Sequence, residues 1–124
     1  MTILDVLGQV DGRKHNTYTQ SEKIAWLSQL DTMVKREVMD GHEGAENCPF
    51  TGYREDTDLQ TVLLVPAPYD ELYLRFLEAQ MDYHNGEYQA YNNAISLFES
   101  IYKDYQAFYI RSHLPLGGGK RFGF

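Results

Sequence analysis

The sequence predicts an all-α protein, a small helical bundle whose last two helices form a long antiparallel hairpin ahead of a flexible, glycine-rich C-terminal tail. Apolar residues recur at steps of three and four in four separate segments, which is typical of amphipathic helices. The short apolar run at residues 61–65 has no second strand signal to pair with. A chain of 124 residues is the size of one ordinary domain. We therefore expect a single helical domain over residues 1–116 and a tail over residues 117–124.

The first two helices are predicted from their apolar spacing and from their ends. The first is short, spanning residues 3–10, and Gly12 favours its termination. The second begins at Thr19, which forms a capping box with Glu22, since each side chain can satisfy a backbone N–H group of the other residue. It runs to about Met39, and its apolar stripe comprises Ile24, Leu27, Leu30, Val34 and Val38.

The middle of the chain is predicted to be irregular. Residues 42–60 form a long polar loop, which is uncommon within a small domain and often functional. Residues 61–65 fit either a buried extended segment or a single helical turn. Pro68 suits the first turn of the third helix, and Asp70 and Glu71 then place negative charge against the positive end of its dipole.

The last two helices are predicted to pack against each other. The Asn85-Gly86 pair is the strongest stop signal in the chain and favours a hairpin turn, with one continuous kinked helix as the alternative. The inner face of the third helix is predicted to comprise Leu72, Tyr73, Phe76, Leu77, Gln80 and Tyr83. The fourth helix spans residues 87–112, and its heptad seam comprises Tyr88, Tyr91, Ile95, Phe98, Tyr102, Tyr105 and Tyr109.

Charge and composition exclude several classes of protein. A net charge of −7 with scattered basic residues argues against specific binding to nucleic acid or to an anionic membrane. The single cysteine, Cys48, excludes an intramolecular disulfide. The chain starts without the features of a signal peptide and has no stretch of roughly twenty apolar residues, so we expect a soluble protein of the cytoplasm.

The residue types that support catalysis or metal binding do not form a convincing pattern. His42, Glu43 and Cys48 have no second pair at the spacing of a zinc site. Asp56 and Asp58 lack the glycine and the terminal Glu of a calcium loop. We therefore expect neither a metal nor another cofactor.

No enzyme motif is complete in the sequence either. The run of glycines before Lys120 lacks the glycine spacing, the Ser or Thr and the following helix of a phosphate-binding loop. Cys48 and Ser21 have no orienting pattern around them, and the four His residues are dispersed. We therefore predict no catalytic residues and a non-enzymatic protein.

Aromatic and basic residues near the C-terminus are candidates for binding a partner. Ten Tyr, six Phe and one Trp make 14% of the chain aromatic, and such residues often supply the binding energy of interfaces. The alternative for the tyrosines is that they line the margin of a small core, and the alternative for the tail is a frayed terminus. The predicted partner-binding residues are Lys120, Arg121, Phe122, Phe124, Tyr105 and Tyr109.

Three stretches resemble a family of small proteins encoded by phages and prophages of Gram-positive bacteria. They are residues 63–73 (LLVPAPYDELY), 77–87 (LEAQMDYHNGE) and 91–93 (YNN). The resemblance covers most of residues 60–113 and includes no catalytic motif. Members of this family look like products of the head morphogenesis module, near the capsid and head-tail connector genes.

The resemblance implies a virion assembly protein, a head-tail connector or head-completion component that acts through protein–protein contacts. Its expected partners are other copies of itself and the portal or tail components, so the expected locations are the host cytoplasm and then the virion. Connectors of this kind form rings, which require one patch of a subunit to meet a different patch of the next copy. The alternative function is a small regulatory module that grips a peptide or partner helix in the hairpin groove.

Overall fold

The computed structural model describes residues 1–45 and 49–115 and confirms the all-α prediction. Within these residues there is no β-strand, and the segments between the helices are turns, irregular chain and two isolated β-bridges. The elements are α1 (Ile3–Arg13), α2 (Gln20–Val34) with a π-helical continuation (Lys35–Met39), α3 (Glu71–His84) and α4 (Tyr88–Ser112).

The start of α2 confirms the predicted capping box. The hydroxyl of Thr19 accepts a hydrogen bond from the backbone N–H of Glu22 at 3.1 Å, and the Glu22 carboxylate accepts from the N–H of Thr19 at 2.9 Å. Helical structure continues to Met39 as predicted, but its last turn is π-helical, with the N–H of Asp40 donating to the carbonyl of Lys35 at 2.8 Å. The wider turn leaves both Val38 and Met39 in the core.

The predicted hairpin is confirmed, since α3 and α4 pack against each other along most of α3. Asn85 and Gly86 form its turn, in which Gly86 has a φ of +77°, a conformation that favours glycine. Helix α3 starts later than predicted, at Glu71 with Asp70 as its N-cap residue, so Pro68 lies in the turn before the helix. The core residues of the hairpin include Leu72, Tyr73, Phe76, Leu77, Phe98, Tyr102, Tyr105 and Tyr109.

The predicted inner faces are wrong at the turn of the hairpin. Tyr83 is 53% exposed and Tyr88 is 61% exposed, although the helical period places both on the stripes that are buried further along. The prediction of Gln80 as part of the inner face holds only in part, since this residue is half-buried. The physical reason is that periodicity selects a face of a helix, whereas burial also requires a neighbouring element that extends far enough to cover it.

The two helices of the hairpin differ in length. The chain that precedes α3 covers the part of α4 that extends beyond the start of α3. Helix α3 has 14 residues and α4 has 25, which correspond to about 21 Å and 37 Å. The C-terminal part of α4 therefore passes the start of α3 and packs against the chain that precedes it. There the ring of Tyr69 lies 5.7 Å from that of Tyr105 and 5.3 Å from that of Phe108, measured between centroids.

The run at residues 61–65 is extended, which settles the choice between an extended segment and a helical turn. The N–H of Ile3 donates to the carbonyl of Thr61 at 3.0 Å, and the N–H of Leu63 donates to the carbonyl of Met1, also at 3.0 Å. Leu63 and Val65 are buried in the core. The segment thus fixes the start of α1 and leads directly into the turn before α3.

Candidate protein-binding site

A buried carboxylate joins the long loop to the helices. Asp31 of α2 is 0% exposed and accepts three hydrogen bonds, from the hydroxyl of Tyr53 at 2.5 Å, the hydroxyl of Tyr73 at 2.6 Å and the backbone N–H of Leu64 at 3.1 Å. The Tyr73 hydroxyl in turn accepts from the N–H of Val65 at 2.7 Å. We call these residues the Asp31 network. It attaches the loop after α2 and the extended segment to both α2 and α3.

The Asp31 network shifts the titration of its members. Burial raises the pKa of Asp31, and the hydrogen bonds from Tyr53, Tyr73 and Leu64 partly oppose this shift. Burial, followed by the charge of Asp31, raises the pKa of Tyr73 well above its usual value. Since the Asp31 carboxylate is sealed from solvent, its arrangement suits holding the loop in place rather than reacting with a substrate.

We expect the contribution of Asp31 to stability to fall as the pH rises. Because its pKa is raised on folding, this contribution is fully present below the unfolded-state pKa of about 3.9 and is lost as the pH rises through the folded-state pKa. The difference in free energy of unfolding between wild type and Asp31→Asn should therefore be largest at acid pH and decrease towards neutral pH. Urea titrations of both proteins across this range measure it, and a difference that increases with pH would contradict the expectation.

A continuous group of aromatic rings lies at the turn of the hairpin and extends onto α2. We call it the aromatic tip, and it comprises Tyr18, Trp26, Tyr83, His84, Tyr88 and Tyr91. Helix α2 contributes Trp26, the ends of α3 and α4 contribute Tyr83, His84, Tyr88 and Tyr91, and the connector before α2 contributes Tyr18. None of these six residues belongs to the buried core.

The rings of the aromatic tip contact one another in two chains that meet at His84. Trp26 stacks on His84 with a centroid distance of 5.7 Å and an interplanar angle of 10°. Tyr18 meets the edge of Trp26 at 5.3 Å, and its hydroxyl donates to the side-chain oxygen of Asn85 at 2.6 Å. Tyr83 lies 5.6 Å from His84. These contacts hold the rings in place, so little side-chain entropy remains to be lost when a partner covers them.

Tyr83 is also the centre of the α3–α4 side of the tip. Its ring lies 6.0 Å from that of Tyr88 and 5.5 Å from that of Tyr91. Tyr83 and Tyr88 are each more than half exposed, and both are aromatic residues of the type enriched at the centres of interfaces. A contiguous exposed aromatic surface of this kind is what protein-binding sites commonly present.

A concave surface lies at the other end of the hairpin. It is a depression of about 260 Å³, which we call the C-terminal groove, and its apolar and aromatic lining comprises Met39, Leu64, Pro66, Tyr105, Phe108 and Tyr109. Glu43 and His113 complete its rim. The ring of His113 stacks on that of Tyr109 with a centroid distance of 3.8 Å.

The predicted partner-binding residues fall into two groups. Tyr105 and Tyr109 are buried in the core and form part of the wall of the C-terminal groove, so their assignment to a partner stays a prediction. The other four, Lys120, Arg121, Phe122 and Phe124, lie outside the described residues. The predicted tail, residues 117–124, lies outside them as well.

The remaining candidates from the sequence do not assemble into a metal site in the part of the chain that is described. Across residues 1–45 and 49–115, no three His, Cys, Asp or Glu side chains are grouped so that they could hold a metal ion. Asp58 instead accepts a hydrogen bond from the N–H of Gln60 at 2.9 Å within a turn, and Cys48 lies outside these residues. None of the described helices has the length and apolar character needed to span a membrane.

The Asp31 network and the aromatic tip are not among the features predicted from the sequence. Asp31 lies between Leu30 and Val34 on the predicted apolar stripe of α2, and a charged residue at such a position is itself a signal of a buried polar network. The helical periods do not indicate the tip, because Tyr18, Trp26 and His84 lie in separate parts of the sequence. Only the fold brings them together.

Comparisons with models of protein families, with curated proteins and with solved structures find no match to this chain.

Proposed function

We propose that this chain is a non-enzymatic virion assembly protein, a head-tail connector or head-completion component, that associates with further copies of itself through the aromatic tip. The observation that supports self-association most directly is the exposure of Tyr83 and Tyr88 within a preorganised set of rings. The phage context rests on the resemblance of residues 60–113 to the phage family. Contacts with portal or tail components rest on the same resemblance.

The aromatic tip gains free energy when another surface removes its exposed rings from water. Two Tyr rings that are more than half exposed leave apolar carbon in water, and covering such rings contributes favourable free energy on association. Each hydroxyl can remain at the rim of a contact and keep its hydrogen bonds. The net charge of −7 would also disfavour adhesion of an assembled ring to DNA passing through it.

A second candidate function is a small regulatory module that grips a peptide. The C-terminal groove favours it, because a concave surface with an apolar floor and the acidic residue Glu43 on its rim suits an extended segment with an apolar anchor and a positive charge. The two candidates use opposite ends of the hairpin. They can therefore be separated by variants at one end only.

We expect the double substitution Tyr83→Ser and Tyr88→Ser to abolish self-association without unfolding the chain. Both side chains are mostly exposed, so their removal should change the free energy of unfolding by no more than about 1 kcal/mol. Light scattering over a range of protein concentrations should give a discrete oligomer for the wild type and a monomer for the variant. Circular dichroism checks that helicity is retained.

The matched control is Val62→Ser, which removes an equally exposed apolar side chain from the extended segment instead of from the tip. This variant should retain the mass of the wild type. If the wild type is a monomer at all concentrations, self-association through the tip is wrong, and the regulatory module becomes the better proposal. If Val62→Ser disrupts the oligomer and the tip variant does not, the assembly surface lies elsewhere.

A further inference from the structure

The C-terminal groove lies next to the point at which the described chain ends. Residues 42–43 and 114–115 pair in an isolated antiparallel bridge, in which the N–H of Glu43 donates to the carbonyl of Leu114 at 2.8 Å. Glu43 and His113 are both on the rim of the groove. The next nine residues, 116–124, therefore start from a fixed position at the edge of this depression.

These nine residues are long enough to reach along the whole groove. An extended chain of this length reaches about 30 Å. The groove runs along α4 from His113 back to Tyr105, a distance of about 12 Å along the helix axis. The three glycines at residues 117–119 allow the chain to reverse direction close to Pro115, because glycine accepts the conformations of a tight turn.

The composition of the segment also matches the lining. The groove measures about 260 Å³, whereas a cavity of about 150 Å³ is enough for a benzene ring. The volume of the groove is therefore sufficient for one Phe ring, from Phe122 or Phe124. Lys120 and Arg121 precede these rings and are of opposite charge to Glu43 on the rim.

We propose that residues 116–124 dock in the C-terminal groove of their own chain, with a Phe ring in the apolar floor and the basic pair beside Glu43. Docking within one chain is favoured over docking on a second copy because the segment starts at the rim of its own groove. A short flexible connection of this kind gives an effective concentration in the millimolar range. The inference is independent of the assembly function proposed for the aromatic tip.

A docked segment defines which other ligands the groove accepts. A competing partner must supply a peptide with an aromatic anchor and an adjacent basic residue, and it must displace the chain's own segment. The apparent affinity of such a partner would be reduced in proportion to the fraction of molecules whose groove is empty. The groove is thus a site for a basic-aromatic peptide, and its first occupant is segment 116–124 of the same chain.

The test uses the full chain and a labelled peptide of sequence LGGGKRFGF, which copies residues 116–124. One protein is the wild type, and the other has the four changes Lys120→Ser, Arg121→Ser, Phe122→Ser and Phe124→Ser. Fluorescence anisotropy should show that the changed protein binds the peptide at least about tenfold more tightly than the wild type, because its groove is vacated. Equal affinity, or no binding to either protein, would overturn the proposal.

The location of the site is tested by charge reversal in the changed protein. Glu43→Lys should weaken peptide binding several-fold, and a peptide with Glu in place of its Lys and Arg should recover affinity for this variant. Glu99→Lys, at an exposed position of α4 outside the groove lining, is the matched control and should have no effect. An equal effect of the two reversals would show non-specific attraction and overturn the assignment to the groove.

Two further measurements separate this inference from the proposed assembly function. The double variant at Tyr83 and Tyr88 should bind the peptide as the wild type does, since the tip lies at the opposite end of the hairpin. Light scattering of the protein with the four tail changes should give the mass of the wild type. A loss of mass in that protein would show that the segment acts on a second copy, which would overturn docking within one chain.

Discussion

Replacing Asp31 by Ala is expected to destabilise the folded chain by about 4 kcal/mol at neutral pH. The change removes the acceptor that two buried hydroxyls, those of Tyr53 and Tyr73, share with the part-buried N–H of Leu64. A buried donor without a partner costs about 1–3 kcal/mol. The raised pKa of Asp31 shows that its burial has a cost of its own, so part of this loss is recovered. Urea unfolding followed by circular dichroism measures the change.

The loss of stability can be assigned to the broken hydrogen bonds by making Asp31→Ala in a second protein, from which two of the donors have been removed. In a protein that already has Tyr53→Phe and Tyr73→Phe, two of the three donors are absent, and Asp31→Ala should cost much less than in the wild type. Asp104→Ala, at an exposed position of α4, is the control and should change stability by no more than about 0.5 kcal/mol. If Asp31→Ala costs the same in both backgrounds, the hydroxyls are not the reason for its effect.

Replacing Phe98 by Ala is expected to destabilise the chain by about 3–5 kcal/mol, because it removes a buried ring from the centre of the hairpin. Phe98 is 5% exposed, and its ring lies 5.3 Å from that of Phe76 and 5.6 Å from that of Tyr102. The long helices on either side are fixed at this point and cannot easily close the cavity. Denaturant melting gives the value.

The neighbouring residue provides the control for this second change. Leu97→Ala removes an apolar side chain of similar type one position away, but Leu97 is 47% exposed and the loss should stay below about 1 kcal/mol. A small effect of Phe98→Ala would mean that the seam of α4 tolerates a cavity or that it is not the core of the folded chain in solution.

Features with a local cause could be predicted from the sequence. The capping box at Thr19 requires only two side chains that are three residues apart. A glycine alone is a weaker signal, because Gly86 forms the predicted turn whereas α1 continues beyond its predicted end at residue 10, through Gly12, to Arg13. The heptad seam of α4 predicted the burial of Phe98 and Tyr102 because α3 is long enough to cover them. In each case the residues that determine the feature lie within a few helical turns of one another in the sequence.

Features that depend on distant segments could not be predicted in this way. The C-terminal groove combines Glu43, Leu64 and Phe108, which come from three different parts of the chain. The exposure of Tyr88 depends on where the neighbouring helix ends, which the period of α4 does not encode. The apolar stripe of α2 does not predict the hydrogen-bond partners of Asp31, because the stripe is defined by its apolar members alone. Its role appears only when Tyr53 and Tyr73 are brought to it by the fold.

The stacking of Trp26 on His84 gives the molecule an optical reporter. Trp26 is the only tryptophan in the chain, so all of the indole fluorescence comes from the aromatic tip. Indole emission changes in wavelength and intensity when water is removed from around the ring. The arrival of another molecule on this surface should therefore be visible in the native spectrum, without a label and at concentrations well below those that light scattering requires.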